Sequence, residues 1–258
     1  MAHQTELPML AECRALPTLA ALGWLRLGWQ DMRRAPWQSL GYGLIMVLVS
    51  WGITLLTWYW GNLGLYLGLV SGFVFLGPWL ALTLYAISLR LQRGLPVSLR
   101  ASLSDARQQI SGAMVFAVVL VVVFLLWARA ATVIHVFFPT GEAPQLADLA
   151  WFLGVGSAVG AVFCALVFAV SAFSLPMLME RQVDTVTAVV SSVNAVLRNK
   201  RAMLVWALLI GACLLLGLLS AWLAFVVLLP LLGHATWHGY QQTLDSSPWP
   251  HSPVASDQ

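Results

Sequence analysis

Long apolar runs alternate with short polar segments along this chain, and the most distinctive polar segment covers residues 180–201. Apolar residues recur in it at the three- and four-residue spacing of one helix face, namely at Val183, Val186, Val190, Val193 and Leu197. The opposite face is polar, with Asp184, Thr187, Ser191, Asn194 and Arg198. The pattern predicts an amphipathic helix that lies flat in the lipid headgroup plane between two membrane-spanning runs.

Two further segments repeat this amphipathic pattern. Residues 18–34 place Leu22, Leu25 and Trp29 on one face with Arg26 opposite, and residues 90–109 carry a weaker apolar stripe. Each of the three polar segments precedes a long apolar run. We therefore expect three interfacial helices, each leading into the membrane.

The apolar runs predict six membrane-spanning helices. Four of them cover residues 37–58, 65–89, 112–132 and 149–175. Residues 202–240 form an uncharged run of 39 residues. As one helix this run would be about 58 Å long, roughly twice the thickness of the hydrocarbon core. We therefore expect two short spans there, with a turn near residues 217–221.

The composition supports this membrane class, because 60% of the residues are hydrophobic and only 9% are charged, against about 25% charged in soluble domains. The predicted fold is an all-α polytopic membrane protein, with six transmembrane helices in three hairpins that each follow an amphipathic interfacial helix. We expect a poorly ordered N-terminal tail (residues 1–17), a single membrane domain (18–244) and a C-terminal tail (245–258). The first eighteen residues lack an apolar core, so no cleavable signal peptide is predicted.

The distribution of basic residues predicts the orientation. Twelve of the thirteen Lys and Arg residues fall on the same side of the predicted spans. They are Arg14, Arg26, Arg33, Arg34, Arg90, Arg93, Arg100, Arg107, Arg181, Arg198, Lys200 and Arg201. Because basic loops stay in the cytoplasm, we expect both termini to be cytoplasmic. The same residues predict contact with anionic lipid, each worth about 1 kcal/mol near the surface.

The three amphipathic segments also align with one another. Offsets of 74 and 164 residues superpose the stripe of the first segment on those of the second and third, and pair Tyr42 with Phe116 and Trp206. This predicts an internal repeat over about residues 18–91, 98–180 and 183–240.

Glycines and prolines mark packing and kink positions. Gly64, Gly68 and Gly72, like Gly156 and Gly160, are spaced by four residues. Such spacing predicts close helix packing inside one subunit, with a dimer face as the alternative. Each predicted repeat has a proline in its second span (Pro78, Pro176 and Pro230), and each is expected to kink its helix.

Several stretches resemble a family of uncharacterised bacterial integral membrane proteins, domain of unknown function 2189. The first is a GW-D--R pattern followed by a YG pair, formed by Gly28, Trp29, Asp31, Arg34, Tyr42 and Gly43. The others are GFVFLGPWLALTLYAISLRLQRG, SLPMLMERQVDTVTAVVSSVNAVLRNKRAMLVW and LPLLGHATWHGY. The resemblance implies a six-span inner-membrane protein without an established activity.

Two histidines of the last span are weak candidates for a cofactor site. His234 and His238 lie one helical turn apart, so both imidazoles could face one metal or haem. The alternative is that both lie at headgroup depth and anchor the helix together with Trp237 and Tyr240. We favour the anchor, because two histidines do not complete a metal site. No cofactor and no metal are predicted.

Arg129 is the deepest basic residue and, with His135, is a possible functional polar residue. The favoured interpretation is that Arg129 reaches outward to headgroups, Glu142 or Asp148. The sharper alternative is an anion or proton pathway shared with His135. Because the predicted spans contain no Asp or Glu, we expect no carboxylate relay.

No phosphate-binding loop, activated nucleophile or paired carboxylates occur, and the three cysteines are scattered, so we expect no enzyme and no disulfide framework. Two functions remain. The first is a non-catalytic protein that organises membrane, binds lipid or accompanies a membrane complex, either with a membrane-protein partner or as a homo-oligomer. The second is a small-solute transporter or channel built from repeated hairpins. No nucleic-acid partner is expected.

Overall fold

A computed structural model describes residues 7–60, 80–136 and 146–253 of the chain. The helices, in order, are α1 (Ala20–Arg34), α2 (Pro36–Trp60), α3 (Leu80–Gln92 in its described part), α4 (Leu99–Gln108), α5 (Ile110–Val136), α6 (Leu146–Ser171), α7 (Ser174–Glu180), α8 (Thr185–Arg198), α9 (Lys200–Leu219) and α10 (Phe225–Thr243). Two short strands, β1 (Glu12–Cys13) and β2 (Leu244–Asp245), pair antiparallel.

Four described helices are long and apolar enough to cross a membrane: Pro36–Trp60, Ile110–Val133, Ala150–Glu180 and Lys200–Leu219. They cover the first, third, fourth and fifth predicted spans, which confirms an all-α membrane protein. The second predicted span lies largely outside the described residues, together with Gly64, Gly68, Gly72 and Pro78. Six spans in three hairpins therefore stay a prediction.

The last apolar run is divided into α9 and α10 by a turn at residues 220–224, slightly later than predicted. Ala221 and Trp222 have positive φ angles of 51° and 72° in this turn. Gly217 is required beside it, because a Cβ at this position would overlap the Phe225 ring. The Trp51 indole of α2 donates to the Ala221 carbonyl at 2.8 Å and ties the turn to α2.

The break between α6 and α7 has a local cause. Pro176 has no N–H to continue the helical ladder, and the helix opens just before it, at residues 172–173. The Ser192 hydroxyl of α8 enters the gap, accepting from the Phe173 N–H at 3.0 Å and donating to the Ala169 carbonyl at 2.8 Å. A side chain inserted between N–H and C=O in this way bends a helix and leaves both groups satisfied. Pro230, by contrast, lies inside the continuous helix α10.

Helix α8 agrees with the prediction in extent, and its two faces have different surroundings. Part of its apolar stripe faces outward, with Val186 67%, Val190 46% and Leu197 57% exposed, whereas Val193 packs against the core. On the polar face, Thr187 and Ser191 are buried within the protein, and the Ser191 hydroxyl accepts from the Ala11 N–H. The chain itself therefore covers the middle of the polar face, while Asp184 and Arg198 at its two ends are exposed.

The expectation of a poorly ordered N-terminal tail is wrong for residues 7–17. Ala11 is buried, the Leu16 N–H donates to the Asn199 side chain at 2.8 Å, and β1 pairs with β2. Backbone hydrogen bonds and small buried side chains hold both tails against α8 and α10, although neither tail has helical periodicity. The pairing places residues 12–13 beside residues 244–245.

Helix α10 is the centre of the best-packed part of the molecule. Helix α1 approaches it so closely that a Cβ on Gly28 would lie 2.7 Å from the Ala235 nitrogen. Helix α2 does the same at Gly43, where a Cβ would overlap the Val226 carbonyl. Trp24 and Trp206 pack edge to face beside this contact. We call α1, α2, α3 and α10 the α10 core.

Candidate functional site

A buried chain of polar side chains connects the four helices of the α10 core. Asp31 comes from α1, Ser39 from α2, Ser88 from α3, and His234 and His238 from α10. Ser39, Ser88 and His234 are at most 1% exposed, and Asp31 is 5% exposed. The His238 side chain is 24% exposed, so the chain reaches the surface at this residue. We call these five residues the polar chain.

The distances of the polar chain are those of good hydrogen bonds. His234 Nε2 lies 2.9 Å from Ser39 Oγ, and His234 Nδ1 lies 2.7 Å from Ser88 Oγ. Asp31 Oδ2 accepts from Ser88 Oγ at 3.1 Å and lies 2.8 Å from His238 Nε2. Every member is therefore bonded to another, as buried polar groups must be.

Counting hydrogens gives the direction of these bonds. A serine hydroxyl has one hydrogen, and that of Ser88 is donated to Asp31 Oδ2. Ser88 must then accept from His234 Nδ1–H. In a neutral imidazole this leaves Nε2 as an acceptor, so the Ser39 hydroxyl donates to it. All hydrogens of the polar chain thus point toward Asp31.

The interfacial-anchor interpretation is wrong for His234, and for the partly exposed His238 it stays a prediction. His234, Trp237 and Tyr240 are fully buried inside the protein. The predicted spans contain no Asp or Glu, and the buried carboxylate beside α10 comes from Asp31 of α1, a helix outside those spans. The sequence signal that could have located it is the GW-D--R pattern, whose Gly28 and Asp31 both face α10.

Metal binding finds no support at this position. Among the residues that the structure describes, no group of three or more His, Cys, Asp and Glu side chains is arranged to hold a metal ion. Both ring nitrogens of His234 are occupied by serine hydroxyls. The polar chain can orient helices and hold hydrogens in a defined direction, and it offers no free ligand set.

A second buried charge pair lies at the end of α3. Arg90 Nε and Nη2 lie 2.5 and 3.2 Å from the two Asp105 oxygens, and Arg90 Nη1 donates to the Pro96 carbonyl at 2.9 Å. The two side chains are 4% and 0% exposed. Arg90 therefore fixes α4 to α3, and it is not a free cation at the membrane surface.

A third polar cluster joins the C-terminal tail to the end of α7. Glu180 accepts from Tyr240 at 2.6 Å and from Ser246 at 3.0 Å. Arg181 donates to the Trp249 carbonyl at 2.9 Å, and Arg93 donates to His251 Nδ1 at 3.1 Å. Burial and the two neighbouring arginines lower the pKa of His251.

Arg129 lies on α5 with its side chain exposed. Glu142 and the side chains of His135 and Asp148 lie outside what the structure describes, so the predicted pathway and the predicted outward contact both stay predictions. Gly156 and Gly160 lie on α6, and no described atom comes within 4 Å of a Cβ built on either. The close packing expected inside one subunit is therefore absent between these glycines and the described residues.

An apolar groove explains the empty space at Gly160. It has a volume of about 1030 Å³ and runs between α5, α6 and α9, with the end of α8 at one side. Small residues of α6 and α9, including Gly160, Ala207 and Gly211, lie along it. Its charged lining residue is Lys200, which makes no hydrogen bond or ion pair with any described residue. We call α5, α6 and α9 the groove helices.

Comparison with known proteins identifies the class of the chain. Residues 65–180 match the family described as predicted integral membrane protein (DUF2189), which confirms the resemblance drawn from the sequence. The match includes Ser88, Arg90, Asp105 and Glu180 but neither Asp31 nor the two histidines of α10. No curated protein and no solved structure matches the chain.

Proposed function

We propose, on the premise of an integral membrane protein, that this chain is a non-catalytic protein of the bacterial inner membrane that gathers anionic lipid at its cytoplasmic face. In this proposal it has six spans and both termini are cytoplasmic. The pairing of β1 with β2 supports the last point, because it requires the two tails to be on the same side.

The observation that carries the proposal is the composition of the outer faces of α1 and α8. Leu22 and Trp29 of α1 are 49% and 45% exposed, and Val186 of α8 is 67% exposed. Each helix ends in exposed basic residues, Arg33 and Arg34 on α1 and Arg198 on α8. An outward apolar stripe beside cations is the arrangement that binds an anionic membrane surface.

The test compares the lipid shell of variants in mixed bilayers. We expect unmodified protein in nanodiscs of phosphatidylcholine and phosphatidylglycerol to be enriched in phosphatidylglycerol. The double change Arg33→Gln/Arg34→Gln should lower that enrichment, since each juxtamembrane cation contributes about 1 kcal/mol. Arg129→Gln, on the predicted opposite side, serves as the control. Equal lipid shells in all three proteins would refute the proposal.

A transporter or channel is the second candidate, and the polar chain is the observation that favours it. It brings a carboxylate of the amphipathic helix α1 together with two imidazoles of the apolar helix α10, and ionisable residues among membrane helices are candidates for a pathway or a switch. Solute or proton flux in proteoliposomes that is lost in His234→Leu would favour this candidate. Absence of flux in the unmodified protein would leave the lipid-binding proposal.

A further inference from the structure

The apolar groove has the length and the shape of a site for a hydrocarbon chain. Its wall along α9 extends from Lys200 to Leu214, which is about 21 Å at the helical rise per residue. That exceeds the half-thickness of the hydrocarbon core, about 15 Å. Its volume of about 1030 Å³ is at the upper end of small-molecule sites, roughly 300–1,000 Å³. A compact solute would fill only part of it.

Small side chains give the groove its depth. On α6 these are Gly160 and Ala161, and on α9 they are Ala207 and Gly211. No described atom lies within 4 Å of a Cβ built on Gly160 or Gly211. These glycines therefore leave space, and a larger side chain at either position would enter the groove instead of a neighbouring helix.

The hydroxyl group and the charged group that line the groove lie at the same end of it. Ser171 ends α6, and Lys200 begins α9. The exposed residues Arg198 and Arg201 flank Lys200 in sequence and increase the positive charge at this end. Lys200 has no counter-ion among the described residues. A cation at the end of a hydrocarbon-lined groove is complementary to a phosphate joined to an acyl chain.

We propose that the groove holds one acyl chain of an anionic phospholipid whose phosphate lies at Lys200. This site is distinct from the general shell of lipid, and it rests on the proposed function in one respect, that the basic end of α9 faces a leaflet with anionic lipid. The bound lipid fills space between α9 and the pair α5–α6, which no described side chain fills.

Native mass spectrometry tests the site directly. Unmodified protein from phosphatidylglycerol-containing nanodiscs should retain one phosphatidylglycerol after the lipid shell has been stripped. The double variant Gly160→Leu/Gly211→Leu should lose it, because the new side chains occupy the groove. Gly154→Leu is the matched control, since Gly154 lies on the same helix with no described atom near its Cβ and does not line the groove. Leucine is a better helix former than glycine, so the variants should fold.

Lys200→Gln tests the charged end. It should weaken retention of phosphatidylglycerol about fivefold, the factor that corresponds to ~1 kcal/mol for one basic residue, and weaken retention of zwitterionic phosphatidylcholine less. Equal retention of lipid by Gly160→Leu/Gly211→Leu and by unmodified protein would overturn the proposal. So would a dimer in unmodified protein that only this double variant loses, because the groove would then belong to a second copy.

The outcome is separable from that of the proposed function. Loss of lipid-shell enrichment in Arg33→Gln/Arg34→Gln concerns α1, outside the groove lining, and does not touch the retained lipid. A retained lipid without any shell enrichment would support the groove site and refute the broader proposal. Shell enrichment without a retained lipid would support the broader proposal and refute the groove site.

Discussion

The α10 core and the groove helices show two ways of packing helices within one membrane protein. In the α10 core, helix backbones touch at Gly28 and Gly43, and polar side chains are buried and bonded to one another. Among the groove helices, the glycines face open space and the walls are separated by a large apolar volume. Glycine therefore has opposite roles in the two regions.

The difference follows from what each region can use as a packing partner. Two helix backbones in contact gain dispersion energy and exclude lipid, and a buried hydrogen bond between them has no competing water. In the groove, by contrast, small side chains leave room for a lipid molecule from the surrounding membrane. The α10 core is thus expected to be rigid without lipid, whereas the groove helices depend on what fills the space between them.

The largest effect is expected at the buried pair of Arg90 and Asp105. Asp105→Ala leaves the Arg90 guanidinium buried without its carboxylate, which should lower the free energy of unfolding by about 3–5 kcal/mol. Arg100→Ala, an exposed arginine on the same helix as Asp105, should change it by less than about 0.5 kcal/mol. Reversible unfolding in mild detergent measures both. A loss below 1 kcal/mol on the same scale would contradict a buried, paired charge.

Two matched glycine-to-alanine substitutions test directly whether glycine has different roles in the two regions. Gly43→Ala places a methyl group against the Val226 carbonyl, and backbone cannot move aside cheaply, so we expect a loss of about 1–3 kcal/mol. Gly160→Ala places the same group in open space and improves helix propensity, so stability should be unchanged or raised by up to roughly 1 kcal/mol. Thermal unfolding of both variants in the same detergent measures these changes in stability. Equal losses would remove the distinction between the two regions.

Hydropathy alone predicted most of the helices, because a span is a local property of about twenty residues. Residues 37–58 and 112–132 fall inside α2 and α5. The amphipathic pattern also located α8. The division of residues 202–240 followed from length, while the turn position depended on Gly217 and Phe225, whose contact the hydrophobic pattern does not contain.

Local hydropathy patterns could not predict the polar chain, because its members are far apart in the sequence and meet only in the folded protein. Asp31 and His238 are 207 residues apart, and Ser39 and His234 are 195 apart. In the segment 18–34, Asp31 has the spacing of a water-facing residue, and only contact with α10 buries it. One pattern did carry this information: the offset of 74 pairs Asp31 with Asp105, and both carboxylates are buried. The repeat itself stays a prediction.

A smaller effect is expected at the start of α8, where Asp184 caps the helix. Its carboxylate accepts from the Thr187 N–H at 2.9 Å, and hydrogen bonds to Thr187 lower its pKa. Asp184→Ala should cost about 0.5–2 kcal/mol, while Asp184→Ser should keep most of the cap. Because the folded pKa is lowered, this contribution is present above the unfolded pKa and is lost as the pH falls through the folded value. Unfolding of the three proteins at neutral and acidic pH measures it.

The smallest expected effect is a pH-dependent change in docking of the C-terminal tail, which contacts Glu180 and Arg181 at the end of α7. Burial, followed by the charges of Arg181 and Arg93, lowers the pKa of His251, so its neutral form favours docking of the tail. Docking is therefore complete above the unfolded pKa of His251 and weakens as the pH falls through the lower, folded value. A spin label at Ser247→Cys, in a background without native cysteines, should gain mobility on acidification from about pH 8 to pH 5. His251→Gln removes the titrating group and should make label mobility less dependent on pH. If label mobility in both proteins responds alike to pH, protonation of His251 does not control docking of the tail.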